Sequence, residues 1–358
     1  MKPYNSGFTN IQTWLERKKS PDFTNIANIL NKKKPARHTL FEFIISSQQL
    51  LDALTANIKY NHADPLFYQK QMADAYHTAG YDYACVRSPH FFFKTGERER
   101  KDSISLNDGY VIHDRNSFEN YPWIDPEDTD FSWLDEMAAY MPKGMKLLVP
   151  GPDGVFETVV KLVGCDNLCF MIYDEPDLAR DIFDAVGDRY RRFYEICAGH
   201  HAVGAMMSDD DWGFKSQTLL SVKHMREYVI PWHIKFAETV HRAGKPITLH
   251  SCGNIKELMD DVIDVIKYDG WHSFEDIILP VEDAYNKYGS KVAILGGIDV
   301  DFLCRAAPEE IYNRSCKMLE RARERGGYAL GSGNSIPDYV PVENYLAMIA
   351  AAVFNREE

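Results

Sequence analysis

His250 and Cys252 stand two residues apart in the stretch Ile247-Thr248-Leu249-His250-Ser251-Cys252-Gly253. On a strand, residues i and i+2 share a face, so the imidazole and the thiol point the same way just where a β-forming run stops. Nitrogen and sulfur donors side by side suit a zinc ion, especially with one coordination position left open for chemistry. A reactive thiol, or a plain strand end, uses the same residues. Other chemistry-bearing groups recur at similar places: Asp209-Asp210-Asp211-Trp212, His272 with Glu275, Gly296-Gly297-Ile298-Asp299, and Gly331-Ser332-Gly333-Asn334. Arg87, Ser88 and His90 form a further group. Each has an ordinary structural use as well. Asp209–Asp211 can cap a helix, His272 and Glu275 can be a loop pair, and the glycine pair can be a tight turn.

Elements that would position these groups alternate along the chain. Extended runs occur at 39–46, 81–87, 145–151, 204–208, 246–250, 270–274, 292–295 and 327–330. Amphipathic stretches separate most of them. In 222–241, Val222, Met225, Val229, Trp232, Phe236 and Val240 recur every three or four residues, with Ser221 as N-cap. A second such helix is expected over 308–325. Eight strands alternating with helices, without a Gly-rich dinucleotide turn, predict an α/β fold of the (β/α)8 TIM-barrel type, with a doubly wound open sheet as the alternative. In a barrel the chemistry sits at the C-terminal strand ends, where every group above falls. Residues 88–123 break the rhythm and read as a hairpin insertion after strand 2; residues 1–35 read as an N-terminal helical extension. The whole chain, 1–358, reads as a single domain.

Composition narrows the function classes. Forty Lys and Arg against 53 Asp and Glu give a net charge of −13, which argues against nucleic-acid or anionic-membrane surfaces. No run of about 18 apolar residues is present, and the N-terminus lacks a signal-peptide core. Seven scattered cysteines do not make a disulfide framework. A cytoplasmic protein is expected. Cys165, Cys169, Cys197 and Cys316 fall in helical patterns and read as small buried hydrophobes, and His224, His233 and His241 read as structural or exposed.

The stretches HSCGNI (250–255), YGSKVAILGGID (288–299), PVENYLAMIAA (341–351), FENYPWIDPED (118–128) and SDDDWGFKSQTLLSVKHMREYVIPW (208–232) resemble the uroporphyrinogen decarboxylase superfamily. The matches run in order from about residue 26 to 353, and the superfamily's fold is the (β/α)8 barrel. True decarboxylases of this group need no cofactor and carry arginines and an aspartate just after strand 1; here that loop, 46–51, has no arginine. The corrinoid-dependent methyltransferases use a His-x-Cys zinc site, which His250 and Cys252 match. The resemblance therefore implies a zinc-dependent methyltransferase moving a methyl group between a small methylated compound, such as a methoxylated aromatic or a methylamine, and a corrinoid held by a partner protein. A cofactor-free decarboxylase and a non-catalytic ligand-binding barrel are the alternatives. A homodimer is left open.

One departure from the resemblance matters. Coenzyme M methyltransferases of this branch place a second cysteine after strand 8, where this chain has Gly331-Ser332-Gly333. The resemblance then implies zinc held by His250 and Cys252 with an oxygen donor. Glu275 is the expected third ligand, with Asp210 and Glu157 as other candidates. Asp210 or Glu275 would otherwise handle the proton, and Asp211, Trp212 and Asp299 would line the pocket. No Asp-x-His-x-x-Gly cobalamin signature is present, so the corrinoid would be supplied in trans.

Overall fold

The computed structural model describes residues 1–96 and 105–356. Seven parallel strands form one curled sheet in strictly sequential order: β1 (Tyr83–Cys85), β2 (Lys146–Pro150), β3 (Val203–Asp209), β4 (Ile247–His250), β5 (Gly270–His272), β6 (Ala293–Leu295) and β7 (Tyr328–Ala329). A doubly wound sheet reverses its strand order part-way; this one never does, which excludes the open-sheet alternative. The β3 strand is buried along its whole length, as expected for a parallel strand covered on both faces.

The run at 39–46, expected as the first strand, is a stave of the wall without a ladder of its own. Leu40 and Ile45 make isolated parallel bridges to Leu330 and Ile336, beyond the end of β7. On the β1 side the stave is held by phenols. Tyr83 Oη donates to the Glu42 carbonyl at 2.6 Å, and Tyr76 Oη to that of Phe43 at 2.9 Å. The structure is thus a TIM-like barrel with a seam between the stave and β1.

Helices cover the outside. Pro176–Gly199 and Pro308–Ala322 each carry proline in the first turn, where its missing N–H costs nothing. The long helix expected over 222–241 begins as anticipated, with the Ser221 hydroxyl accepting from His224 N, but it contains a π-helical turn at Met225–Val229 before continuing as Ile230–Arg242. Ile230 N donates to Met225 O, five residues back. Pro231 has no N–H to offer the next carbonyl, so the ladder widens at that point. Helix Val342–Val353 is buried from Asn344 onward and packs as the inner member of its layer.

Short helices at Ile11–Glu16 and Thr24–Leu30 occupy the N-terminal region. Phe8 stacks on Phe354 with centroids 4.6 Å apart, and Lys2 N donates to Asn355 Oδ1 at 2.5 Å, so the two ends of the described chain lie together. The tip of the expected hairpin, 97–104, lies outside the described residues. Its flanks are joined by Gly96 N to Gly109 O at 2.7 Å without forming strands. No described helix is long and apolar enough to cross a membrane.

Candidate metal centre at the strand ends

Register brings the site together. Asp209, His250 and His272 are direct partners across β3, β4 and β5, so three polar side chains form one row at the C-terminal edge of the sheet. Beyond the row the chain turns. Gly253 takes φ +81°, and a Cβ there would meet Gly213 O at 2.1 Å, so the close approach of these two loops requires glycine. The loops are tied by Cys252 N to Asp211 Oδ1 at 2.7 Å and Trp212 N to Ser251 Oγ at 3.1 Å.

Asp211, His250 and Cys252 are the one group of three such side chains among the described residues whose donor atoms all lie within 4.8 Å of one another. His250 Nε2 stands 3.5 Å from Cys252 Sγ and 3.8 Å from Asp211 Oδ1. Zinc bonds of about 2.0–2.3 Å to a tetrahedral centre set neighbouring donors roughly 3.3–3.8 Å apart. The donor set N, S, O and its spacing both fit zinc, with a fourth position left over.

The other expected residues lie outside this group. Asp210 turns away into the protein. Its carboxylate accepts from Phe156 N (3.1 Å), Glu157 N (3.0 Å) and His233 Nε2 (2.9 Å). It thereby caps helix Val155–Val163 and pairs with a fully buried histidine. Glu275 lies in the wall of an open groove of about 1150 Å³ beside β5–β7, together with Asp299. Asp299 caps the helix starting at Val300 and accepts from Asp276 N. Trp212 is fully buried against His233, edge to face. Ser332 faces inward, its Oγ 2.5 Å from Glu42 Oε1 and also against the Asn334 carbonyl. The place beside the Cys252 thiol is taken instead by Asn334, whose Nδ2 lies 3.2 Å from Sγ, with Ser273 Oγ at 3.5 Å. Asn334 also lines the groove, so one side chain touches both the groove and the sulfur.

The environment is dry and acidic. Phe43 lies against the His250 ring, centroids 4.2 Å apart, and Phe41 against His272 at 5.3 Å. Burial drives His250 down to about 3 and His272 well below the usual histidine value, so both stay neutral. Burial, and then the Asp211 carboxylate, push the Cys252 thiol up. Burial likewise raises Asp211 to about 6, against the opposing hydrogen bond from Cys252 N. Glu157 rises to about 9 through burial and the nearby charges of Asp211, Asp209 and Asp210. Asp209 is raised by burial against the pull of its ion pair with Arg87; Arg87 also donates to Gly151 O and Pro152 O.

Two contributors escape a sequence reading. Glu42 is fully buried, and its signal is a lone acid in the apolar run Thr39-Leu40-Phe41-Glu42-Phe43-Ile44. Phe43, which dries His250, gives no signal separate from ordinary core.

Residues 148–353 match the family model described as uroporphyrinogen decarboxylase (URO-D). No curated protein matches the chain. Among solved structures, a methyltransferase from Methanosarcina mazei aligns with a TM-score of 0.69 at 17% identity, covering 92% of this chain and 97% of that one. A xylanase from Thermoanaerobacterium saccharolyticum aligns with a TM-score of 0.38 at 12% identity, over 84% of this chain and 87% of that one. A sugar phosphate isomerase/epimerase from Parabacteroides distasonis gives 0.33 at 14% identity, over 62% and 93%. The last two likenesses are too loose to argue from; the first shows the barrel fold over nearly the full length. With more than half of its residues, the strand-end row included, inside the matched region, the chain belongs to the uroporphyrinogen decarboxylase family.

Proposed function

We propose that the chain is a zinc-dependent methyltransferase that moves a methyl group between a small methylated compound and a corrinoid carried by a separate protein. The observation that carries this reading is the convergence of Asp211, His250 and Cys252 on one point at the strand ends. The methyltransferase from Methanosarcina mazei, which shares the fold, is consistent with it. Zinc held there would supply a Lewis acid that polarises a substrate oxygen or lowers the pKa of a substrate thiol.

The protein's own groups do the rest. His250 Nε2 and Cys252 Sγ face the same space and present nitrogen and sulfur. Asp211 adds oxygen and, through Cys252 N, locks the position of the cysteine backbone. Asn334 and Ser273 direct N–H and O–H donors at the sulfur, which favours its thiolate form. Glu157, raised to about 9, keeps its proton at neutral pH and offers an acidic O–H beside the cluster. The groove lined by Asn334 offers a methyl compound a place next to the residue that contacts the sulfur. Two ligands from the β4 end and one from the β3 loop leave zinc with one thiolate, so it binds less tightly than at a two-cysteine site.

Metal content tests this directly. Purified protein supplied with zinc should hold one equivalent and release it on mild chelation with the fold intact. Cys252→Ala and Asp211→Asn should each lower retention at least roughly tenfold, whereas Glu275→Gln should leave it unchanged. Full zinc and full methyl transfer in Cys252→Ala would refute the reading.

A further inference from the structure

The imidazole of His250 has two nitrogens, and only a bare Nε2 can serve the cluster. What decides which nitrogen carries the proton lies one strand away. His272 Nε2 stands 3.1 Å from the carbonyl oxygen of Ser332. A carbonyl only accepts, so His272 carries its proton on Nε2. The Nδ1 atoms of the two histidines are 2.7 Å apart, so a single proton lies between them. Among the described residues the polar partners of the fully buried His272 are this imidazole and that carbonyl, neither of them an anion that would hold a second proton on the ring, so its Nδ1 is bare and accepts. The proton therefore belongs to His250 Nδ1, and His250 Nε2 is left with a free lone pair.

We propose that His272 is the positioning residue of this centre: held by the Ser332 carbonyl, it accepts the Nδ1 proton of His250 and so presents the Nε2 lone pair of His250 to Asp211 and Cys252. The inference rests on the metal-centre reading for its consequence, but the tautomer is a property of the metal-free protein. Ligating histidines are commonly oriented through their second nitrogen by a carboxylate or carbonyl. Here the partner is a second neutral imidazole, aligned by strand register: His250 and His272 are paired residues of β4 and β5.

Ser332 acquires a role from the same arrangement. Its N–H donates to Glu42 Oε2 at 3.3 Å, and its Oγ is held between Glu42 Oε1, at 2.5 Å, and the Asn334 carbonyl. The residue is clamped from one side while its carbonyl holds His272 from the other. A thiol is a weaker donor than a hydroxyl, so a cysteine at 332 would loosen this clamp. The substitution in the Gly331-Ser332-Gly333 turn thus marks a different way of building the centre: the turn supports the histidine row instead of donating a thiolate.

The test separates the relay from the metal. In protein labelled with ¹⁵N-histidine and stripped of metal, long-range ¹H–¹⁵N spectra should show His250 protonated at Nδ1 and His272 at Nε2. In His272→Leu, His250 should shift toward the Nε2-protonated form, and zinc affinity, measured by competition with a chromophoric chelator, should fall roughly ten- to a hundredfold. His272→Asn, whose side-chain oxygen sits near the place of Nδ1, should recover most of that affinity; it also decides the matter if the leucine variant does not fold. Finding His250 protonated at Nε2 in the wild type would overturn the proposal. So would zinc affinity in folded His272→Leu within about threefold of wild type. If the wild type binds no zinc at all, the metal reading fails, and the tautomers of the wild-type protein alone decide the relay.

Discussion

A single buried acid shows how far the consequences of one residue reach. Glu42 sits behind Ser332 with no cation beside it among the described residues, and burial raises it from 4.5 to about 8 against the pull of its hydrogen bonds from Ser332. Below about pH 4.5 it is protonated whether the chain is folded or not, and its contribution is fully present. Between 4.5 and about 8 the unfolded chain gives up the proton and the folded chain keeps it, so stability falls as pH rises, by about 1.4 kcal/mol per pH unit from this group. Glu42→Gln, which keeps a neutral donor and acceptor in place, should remove that slope. Thermal melting at about pH 5 and about pH 8.5 measures it: the variant should match wild type in acid and exceed it in mild alkali. Identical melting at both would show that Glu42 is not held protonated.

At the scale of elements, the acidic triplet after β3 divides its work by strand alternation and turn geometry. Asp209 pairs with Arg87, Asp211 faces the cysteine, and Asp210 reaches across to the start of helix Val155–Val163. The helix end is positive and has orphan N–H groups, so a buried carboxylate is well placed there. Gly154 leaves room for it, since a Cβ at that position would lie 1.9 Å from Asp210 Oδ1. Asp210→Ala should cost about 3 kcal/mol or more, because it strands two helix N–H groups and a buried histidine at once. It should also displace Glu157 in the same turn. Chemical denaturation gives the first effect. A melting temperature within error of wild type would count against the capping role. This division was hidden in the sequence. Three acids in a row announce a special loop, but which one faces the cysteine depends on a turn that no pattern encodes. The barrel was legible, because each strand is a short apolar run between helical periodicities. The closeness of His250 and Cys252 was legible in part: the spacing of two suggests it, but Cys252 lies past the end of β4 and is held there by Asp211. The π-turn before Pro231 was readable in principle from the proline. The role of Glu42 was not, because its partner lies 290 residues away.

Taken whole, the molecule is a curled sheet of seven strands closed by a stave that belongs to its last edge. The stave is the first extended segment in the sequence, yet its backbone bonds go to the last: Phe41 N to Leu330 O at 2.8 Å and Ser46 N to Ile336 O at 3.0 Å. Its other side meets β1 through the Tyr83 hydroxyl and the packing of Phe41 against the Tyr83 ring. Because Lys2 and Asn355 already touch, the chain lends itself to circular permutation. Joining the present ends by a short linker and opening the exposed segment 56–63 would make the stave the final wall element, following β7 in sequence as it does in space. No strand neighbour would change. Closure of the wall, now a contact between distant parts of the chain, would come close to local, and low contact order speeds folding. The permutant should refold faster in stopped-flow fluorescence. Slower refolding would mean that the stave and the N-terminal helices nucleate the barrel rather than close it.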